Sequence, residues 1–488
     1  MNPLFLTDFY KTIHHKCYVP NMTKLVSYWT PRMSRKEGVN EVVMFGLQGV
    51  IKKYFIDGFD WFFYRDKESV IKEYKDIISA TMGEENADTK HIEELYDLGY
   101  LPLEIKAVKE GTVTPIKVPM LEISNTHDNF AWLVNYVETL LSSNLWFPIT
   151  SATIGHEFRK IINKYYDKTV DNGNRSKACG NFDLRGMTSS ESGLVNGASH
   201  LLSFSSTATI GSILYLKDYY NADIKEVGIG TPSTEHSIMC SYGKDNELEC
   251  YRHLIEDVYP NGVLSIVSDT WDYWGVLTDI LPRLKESILK RDGKIVVRPD
   301  SGEPCNIICG DLDEKEGSPE YKGTVELLGD IFGYTVNSKG YKVLNQKIGV
   351  VYGDGITLER CEDICKRLEN KGWASNNIIF GVGSYSYQYN TRDTFGFALK
   401  STYAVIDGAE RFIFKDPITD KDNFKKSQKG LCVVYDSSDG IKYEDGCNQE
   451  KYDYYSGMNL LRTVFKNGEL IKEQSLNEIR ERLNKGEF

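Results

Sequence analysis

The sequence predicts an α/β protein: a (β/α) barrel-like domain of parallel strands, plus a discontinuous α+β domain built from both chain ends. Three observations predict it. The middle of the chain repeats one form: KEVGIGTPSTEHS, GVLSIVSDTWDYW, GKIVVRPDSGEP, KIGVVYGDGITLE, NNIIFGVGSYSYQ and STYAVIDGAE each place a short apolar run before Gly, Asp, Ser, Arg or His. Most lead into a helical pattern, and buried strands alternating with helices mean parallel βαβ units. The two ends of the chain lack this rhythm. The length, 488 residues with 41% hydrophobic and 26% charged, suffices for two packed units. The expected division is 1–145 with 405–488 for the α+β domain and 146–404 for the barrel, with an open doubly wound sheet as the alternative architecture.

Taken in order, KLVSYWT and EVVMFGL read as strands, and ESVIKEYKDIISATM as an amphipathic helix. PLEIKAVKEGTVTPIKVPMLEIS reads as successive strands with turns at EGT and the prolines. A helix is expected roughly over 130–143. In the middle region, 274–289 is a helix candidate with Pro282 as a local break, and 356–371 a better one, closed by Gly372. The tail returns to hairpins: FIFKDPITD, LCVVYDSSDGIKY, and LLRTVFKNGELIKE with NG at its turn. A short helix over 476–484 ends the chain.

The net charge of −12 argues against nucleic-acid binding, which needs clustered Lys and Arg. No apolar run approaches the roughly 18 residues of a membrane span. MNPLFLTDFYK lacks the basic-then-apolar pattern of a signal peptide. The ten Cys therefore read as reduced thiols of a cytoplasmic protein. Cys361 and Cys365 share a helix face and read as core, as do Cys305 and Cys309. The 8 His show no convincing zinc spacing.

In a barrel, chemistry sits at the C-terminal ends of the strands. The polar groups there are Arg185, His236, Asp269, Arg298, Asp300, Asp354 and Arg392. Gly353, Gly355, Gly381 and Gly383 allow close backbone approach to a ligand, a feature that suits phosphate. Arg bonds two phosphate oxygens at once. Asp300 and Asp354 suit Mg²⁺. The competing reading is a set of Arg–Asp ion pairs that closes the barrel mouth. No P-loop and no GxSxG elbow is present. The residues thus reach a barrel enzyme for a phosphorylated small molecule, without naming it.

The chain resembles the nicotinamide phosphoribosyltransferase family of type II phosphoribosyltransferases. The resemblance rests on TDFYKTIHHKCYVPN (7–21), FDLRGMTSSESG (182–193), GTPSTEHS (230–237), VSDTWD (267–272), RPDSGEP (298–304), NSKGYK (337–342), YGDGI (352–356), FGVGS (380–384), TRD (391–393), FKDP (414–417) and LLRTVFKNG (460–468). It implies attack of the pyridine nitrogen of nicotinamide on C1 of phosphoribosyl pyrophosphate, with nicotinamide mononucleotide and pyrophosphate as products in NAD salvage. It implies Mg²⁺, ATP as a coupled substrate, and a homodimer whose sites are shared across the interface.

By the same resemblance, Phe182 stacks on one face of the pyridine, and Tyr10, with Asp8, reaches the other from the second subunit. Arg185 bonds the carboxamide carbonyl. Arg298 and Asp300 hold the pyridine and ribose end, Gly353 and Asp354 the ribose, and Gly383 and Ser384 a phosphate. Arg32, Arg392 and Lys400 meet phosphates across the dimer interface, and Lys415 the pyrophosphate or nucleotide phosphates. His236 is the histidine that ATP phosphorylates, its tautomer fixed by Asp269; the competing reading is a core histidine.

Three departures stand out. Ala208 lies where the family carries an Asp that accepts from the carboxamide NH₂, so an enzyme that prefers nicotinate, or is relaxed between the two, is the alternative. Ser205, Ser206 or water remain as acceptors. Gly349 replaces an Arg, which is expected to weaken binding of ATP or pyrophosphate. The stretch 421–430 runs longer than the family pattern. Two more distant alternatives are a non-catalytic binding protein and an aldolase-like barrel, the latter disfavoured because no Lys stands at the strand ends named above.

Overall fold

The computed structural model describes residues 2–415 and 427–485. They form two compact units, one from 2–153, 217–222, 390–415 and 427–485, the other from 154–216 and 223–389.

The second unit is built on six parallel strands in the order Ser206–Thr207, Cys179–Asn181, Ile378–Val382, Ile348–Tyr352, Asp292–Arg298 and Asn261–Val267. One segment links the two outer strands. Ile229 bridges Ser206 and Ser233 bridges Ser265, both in parallel. The Thr207 N–H donates to Ile229 O at 3.1 Å, and the Thr234 N–H to Ser265 O at 2.9 Å. The sheet thereby curls and closes through single bridges. Pro232 has no N–H to give, so no continuous ladder forms here. Buried Ile, Val and Leu of these strands pack against the surrounding helices, each full burial contributing about 1.5–3 kcal/mol. Helix Leu358–Asn370 buries Cys361, Ile364, Cys365 and Leu368, the i, i+3, i+4, i+7 stripe. The Thr357 side chain caps its start, and Gly372 follows it at φ +73°. Cys305 and Cys309 are buried on helix Pro304–Cys309. All ten cysteines are unpaired and eight are buried, as core packing requires.

The first unit holds a seven-stranded sheet that joins both chain ends. Met22–Thr30 pairs antiparallel with Ala398–Ile406 and Leu121–Asn125, and Leu103–Ala107 pairs with Arg462–Lys466. The NG hairpin turns at Asn467 and Gly468, both at positive φ. Helices Lys67–Met82 and Leu476–Asn484 fall where the sequence predicts them, the latter opened by a Ser475–Glu478 capping box.

Two expectations are corrected. STYAVIDGAE is not a barrel strand: Ala398–Ile406 turns through Asp407 and Gly408, both at positive φ, and pairs with Ala409–Phe412. DG between two strand-forming stretches signals a hairpin, and no helix follows it. The helix expected over 130–143 is a short turn, Leu133–Tyr136, followed by a 32-residue helix, Glu138–Thr169. The long helix runs on through polar residues beyond the expected end at 143. Ser143 and Asn144 donate back to Leu140 O and Thr150 to Trp146 O, so their side chains bond the helix itself. Residues 416–426, which include part of FKDP and of the long basic stretch, lie outside the described residues.

Candidate active site in the curled parallel sheet

The second unit encloses a cavity of about 1440 Å³, above the roughly 300–1,000 Å³ of an ordinary small-molecule site. It runs the length of the strands: Arg298, Asp300, Asp354 and Ser384 line it at their C-terminal ends, Lys294 and Val263 near their starts. Ten of the expected site residues line it: Phe182, Arg185, Ala208, His236, Arg298, Asp300, Gly353, Asp354, Gly383 and Ser384.

Phe182 follows strand Cys179–Asn181, and its N–H donates to Val382 O at 2.9 Å. Its ring lies on glycine. A Cβ at Gly353 would come 2.8 Å from Phe182 Cδ2, and one at Gly381 would overlap the ring edge. The close approach expected of a ligand at these two glycines is thus made by Phe182. Beside it, Asp183 is buried and accepts from Asn196 on helix Ser190–His200. Burial pushes the Asp183 carboxyl up to about 6.

His236 opens a short helix, His236–Ser241, and is half exposed; its Nε2 lies 3.0 Å from Oδ1 of buried Asp269. Asp269 follows strand Asn261–Val267. Arg298 ends the neighbouring strand, donating to Ser233 Oγ at 2.9 Å and to Thr234 O at 3.0 Å. It therefore fastens the segment that carries His236. Burial lowers the Arg298 guanidinium below the usual arginine range, and Asp300 and Asp269 oppose this. The guanidinium stays charged.

Asp300 and Asp354 flank Gly353, the Asp300 carboxylate 3.9 Å from the Cβ position of that glycine. Tyr352, missed by sequence reasoning, positions this corner: its hydroxyl donates to Ser301 O and Gly302 O, each at 3.0 Å. Its place before GDG at a strand end was the available signal. Arg360 Nη1 donates to Gly355 O at 2.7 Å, and Arg360 Nε lies 3.3 Å from Glu303. Ser384 follows Gly383 at the start of helix Ser384–Gln388. Its hydroxyl fills the space that any side chain at residue 186 would need, and residue 186 is Gly.

Ala208 faces the cavity, its N–H bonded to Asn181 O. Of the two serines considered as substitutes, Ser205 pairs with Ser176 Oγ at 2.9 Å, whereas Ser206 lines the cavity. A Cβ at Gly180 would lie 3.0 Å from Ser206 Oγ and 3.3 Å from Phe182 Cε1, so hydroxyl and ring converge there. Gly349 lies near the start of strand Ile348–Tyr352, at the opposite end from Asp354. Lys294 fills the room it leaves, Cδ being 3.2 Å from its Cβ position.

The remaining expected residues belong to the first unit. Arg32, Arg392, Lys400 and Lys415 converge on a pocket of about 280 Å³, with Thr30, Glu138 and Gln428. Burial lowers both Arg32 and Lys400 from their usual ranges; the neighbouring Arg392 adds to this, and Asp393 and Glu138 respectively oppose it. Tyr10 is exposed, and Asp8 accepts from Thr139 Oγ1 at 2.7 Å. No helix among the described residues is long and apolar enough to cross a membrane.

Two family models match: the nicotinate phosphoribosyltransferase (NAPRTase) family over residues 178–469, and the nicotinamide phosphoribosyltransferase N-terminal domain over 2–105. The chain is 44% identical over 496 residues to a protein named nicotinamide phosphoribosyltransferase from Acinetobacter baylyi, covering 99% of this chain and 97% of that one. It is 30% identical over 492 residues to one of the same name from Xanthomonas campestris, covering 98% and 97%. Among solved structures, human nicotinic acid phosphoribosyltransferase shares the fold with a TM-score of 0.58 at 15% identity, over 98% of this chain and 93% of that one.

Proposed function

The chain belongs to the nicotinate phosphoribosyltransferase family and is a pentosyltransferase, and from that premise we propose that it makes nicotinamide mononucleotide from nicotinamide and phosphoribosyl pyrophosphate, for NAD synthesis. The observation that carries this reading is Phe182, an aromatic platform laid over Gly353 and Gly381 beside the charges of Arg298, Asp300 and Asp354. A flat heteroaromatic ring stacks on such a platform, with a phosphosugar within reach of the charges.

In this reading the pyridine nitrogen attacks C1 of the ribose, and the C1–O bond to pyrophosphate breaks with its electron pair leaving on oxygen. Phe182 orients the ring, joined on its other face by Tyr10 with Asp8 from the partner of a homodimer. Arg185 donates to the carboxamide oxygen. Arg298 holds the pyridine and ribose end, Asp300 and Asp354 hold the ribose hydroxyls, and the Gly383–Ser384 backbone and hydroxyl bond a phosphate. Across the interface of that homodimer Arg32, Arg392 and Lys400 meet phosphates, and Lys415 meets the pyrophosphate or nucleotide phosphates.

Asp300 and Asp354 also suit Mg²⁺. With no third carboxylate or histidine grouped with them among the described residues, they match an ion that takes one or two carboxylates and completes its shell with water and substrate phosphate. When bound, Mg²⁺ neutralises charge that develops on the leaving pyrophosphate.

His236 is read as the acceptor of the ATP γ-phosphoryl group. With Nε2 against Asp269, the Nδ1 lone pair attacks phosphorus and ADP departs. Asp269 stabilises the resulting charge on the ring. Hydrolysis of that phosphohistidine then drives the transfer toward product.

A second reading, a relaxed enzyme that accepts nicotinate as well, is favoured by Ala208 with Ser206. A hydroxyl accepts from an amide and donates to a carboxylate, so it discriminates less than an Asp. The test of the first reading is to supply phosphoribosyl pyrophosphate, Mg²⁺ and nicotinamide and to quantify both products. Equimolar mononucleotide and pyrophosphate support it; release of pyrophosphate without mononucleotide refutes it.

A further inference from the structure

His15 and His91 stand 76 positions apart in the sequence, yet their rings stack in the first unit with centroids 3.6 Å apart. Asp88 completes a group whose donor atoms all lie within 4.8 Å of one another. His15 Nδ1 lies 2.9 Å from Thr12 O. That bond puts the proton on Nδ1 and leaves the Nε2 lone pair facing Asp88 Oδ2 at 3.5 Å, too long for a good hydrogen bond. A metal-binding histidine is usually held this way, one nitrogen donating to a carbonyl while the other ligates.

His91 supplies an independent observation. It is 6% exposed, and neither of its ring nitrogens has a hydrogen-bond partner. Trp132 and Tyr74 meet its ring edge-on at 4.9 and 6.0 Å, so its walls are aromatic. Buried polar atoms left unmatched are costly, and a ligand would remove that cost. Lys16 Nζ, 3.5 Å from Asp88 Oδ2, supplies the positive charge in the structure.

We propose that His15, His91 and Asp88 form a transition-metal site, taking Zn²⁺ or an ion of similar preference, with water as the fourth ligand on the exposed Asp88 side. Two imidazoles and one carboxylate select Zn²⁺ and its neighbours over Mg²⁺, which seeks oxygen alone. The rings splay from their stack to bring the three donors to the roughly 3.3 Å spacing set by bonds of 2.0–2.2 Å, and Lys16 releases Asp88. The ion then ties helix Lys90–Leu98 to helix His14–Cys17, which directly follows the stretch bearing Asp8 and Tyr10.

The test is titration of the chelator-stripped full chain with Co²⁺, followed by visible absorption, with Zn²⁺ and Mg²⁺ as competitors. The expected result is one equivalent of Co²⁺ with nitrogen-ligand d–d bands, displaced by Zn²⁺ and unaffected by millimolar Mg²⁺. His15→Phe and Asp88→Asn should each weaken binding about tenfold or more. Both residues lie nearer the surface than His91, so these variants decide the matter even where His91→Ala fails to fold. Absence of d–d bands in the parent chain overturns the proposal, as does unchanged affinity in both variants, which would assign the ion to other groups.

Discussion

The ring of Phe182 lies so close over Gly381 that a single methyl group there would overlap its edge. Gly381 is therefore a positioning residue for the aromatic platform. Gly381→Ala is expected to tilt the ring and raise KM for the pyridine about tenfold or more, with a fall in kcat, since small misplacements cost large factors. The cost in stability should stay within about 1–3 kcal/mol. Steady-state kinetics beside thermal melts checks this. Unchanged kinetics would mean that the ring's position does not matter to binding.

The 3.0 Å contact between His236 and Asp269 predicts a separation of two activities. His236→Gln is expected to abolish ATP hydrolysis and ATP stimulation, while phosphoribosyl transfer without ATP persists. Asp269→Asn, which removes the charge that steadies the ring, should lower ATP-dependent rates about 10²–10⁴-fold. Trapping of labelled phosphate from ATP γ-³²P on the wild-type chain, lost in His236→Gln, checks the assignment.

Ala208→Asp tests the specificity reading. Restoring a carboxylate that only accepts should raise the nicotinamide-to-nicotinate ratio of kcat/KM, by about 10-fold or more if the group is desolvated. Ser206→Ala should move the ratio the other way. A ratio unmoved by either change would take residues 206–208 out of substrate selection.

Glu110 predicts a pH effect on stability. It is 2% exposed, accepting from the Gly46 and Gln48 N–H groups and from the Tyr220 hydroxyl. Burial raises it from 4.5 to about 7. The unfolded chain therefore releases this proton first as pH rises. Its contribution is full below pH 4.5 and is lost by about pH 7, with a slope of up to about −1.4 kcal/mol per pH unit. Glu110→Gln removes the slope whatever constant penalty it brings. Denaturant unfolding of both chains between pH 5 and 8 measures it; parallel curves would contradict the placement.

The parallel strands and the strand-end charges were legible because buried runs and the polar residues after them are local signals. Arg298, Asp300 and Asp354 each follow directly from such a run. The closing segment was only half legible: KEVGIGTPSTEHS read as one of the strand units, yet it joins the sheet through single bridges at Ile229 and Ser233. The hairpin at Asp407 and Gly408 imitates a barrel strand until its positive φ angles are seen. The use of Gly381 as a seat for Phe182, the anchoring of Ser301 by Tyr352, and the meeting of His15 with His91 depend on contacts between distant segments. No spacing in the sequence encodes them. The fit of Ser384 against the bare Cα of Gly186 is another such contact.

The most direct measurement is kcat/KM for nicotinamide and for nicotinate, each with phosphoribosyl pyrophosphate and Mg²⁺, with and without ATP. The expected result is formation of nicotinamide mononucleotide, at a kcat/KM above that for nicotinate and raised by ATP. Turnover of nicotinate alone, or of neither base, would contradict it.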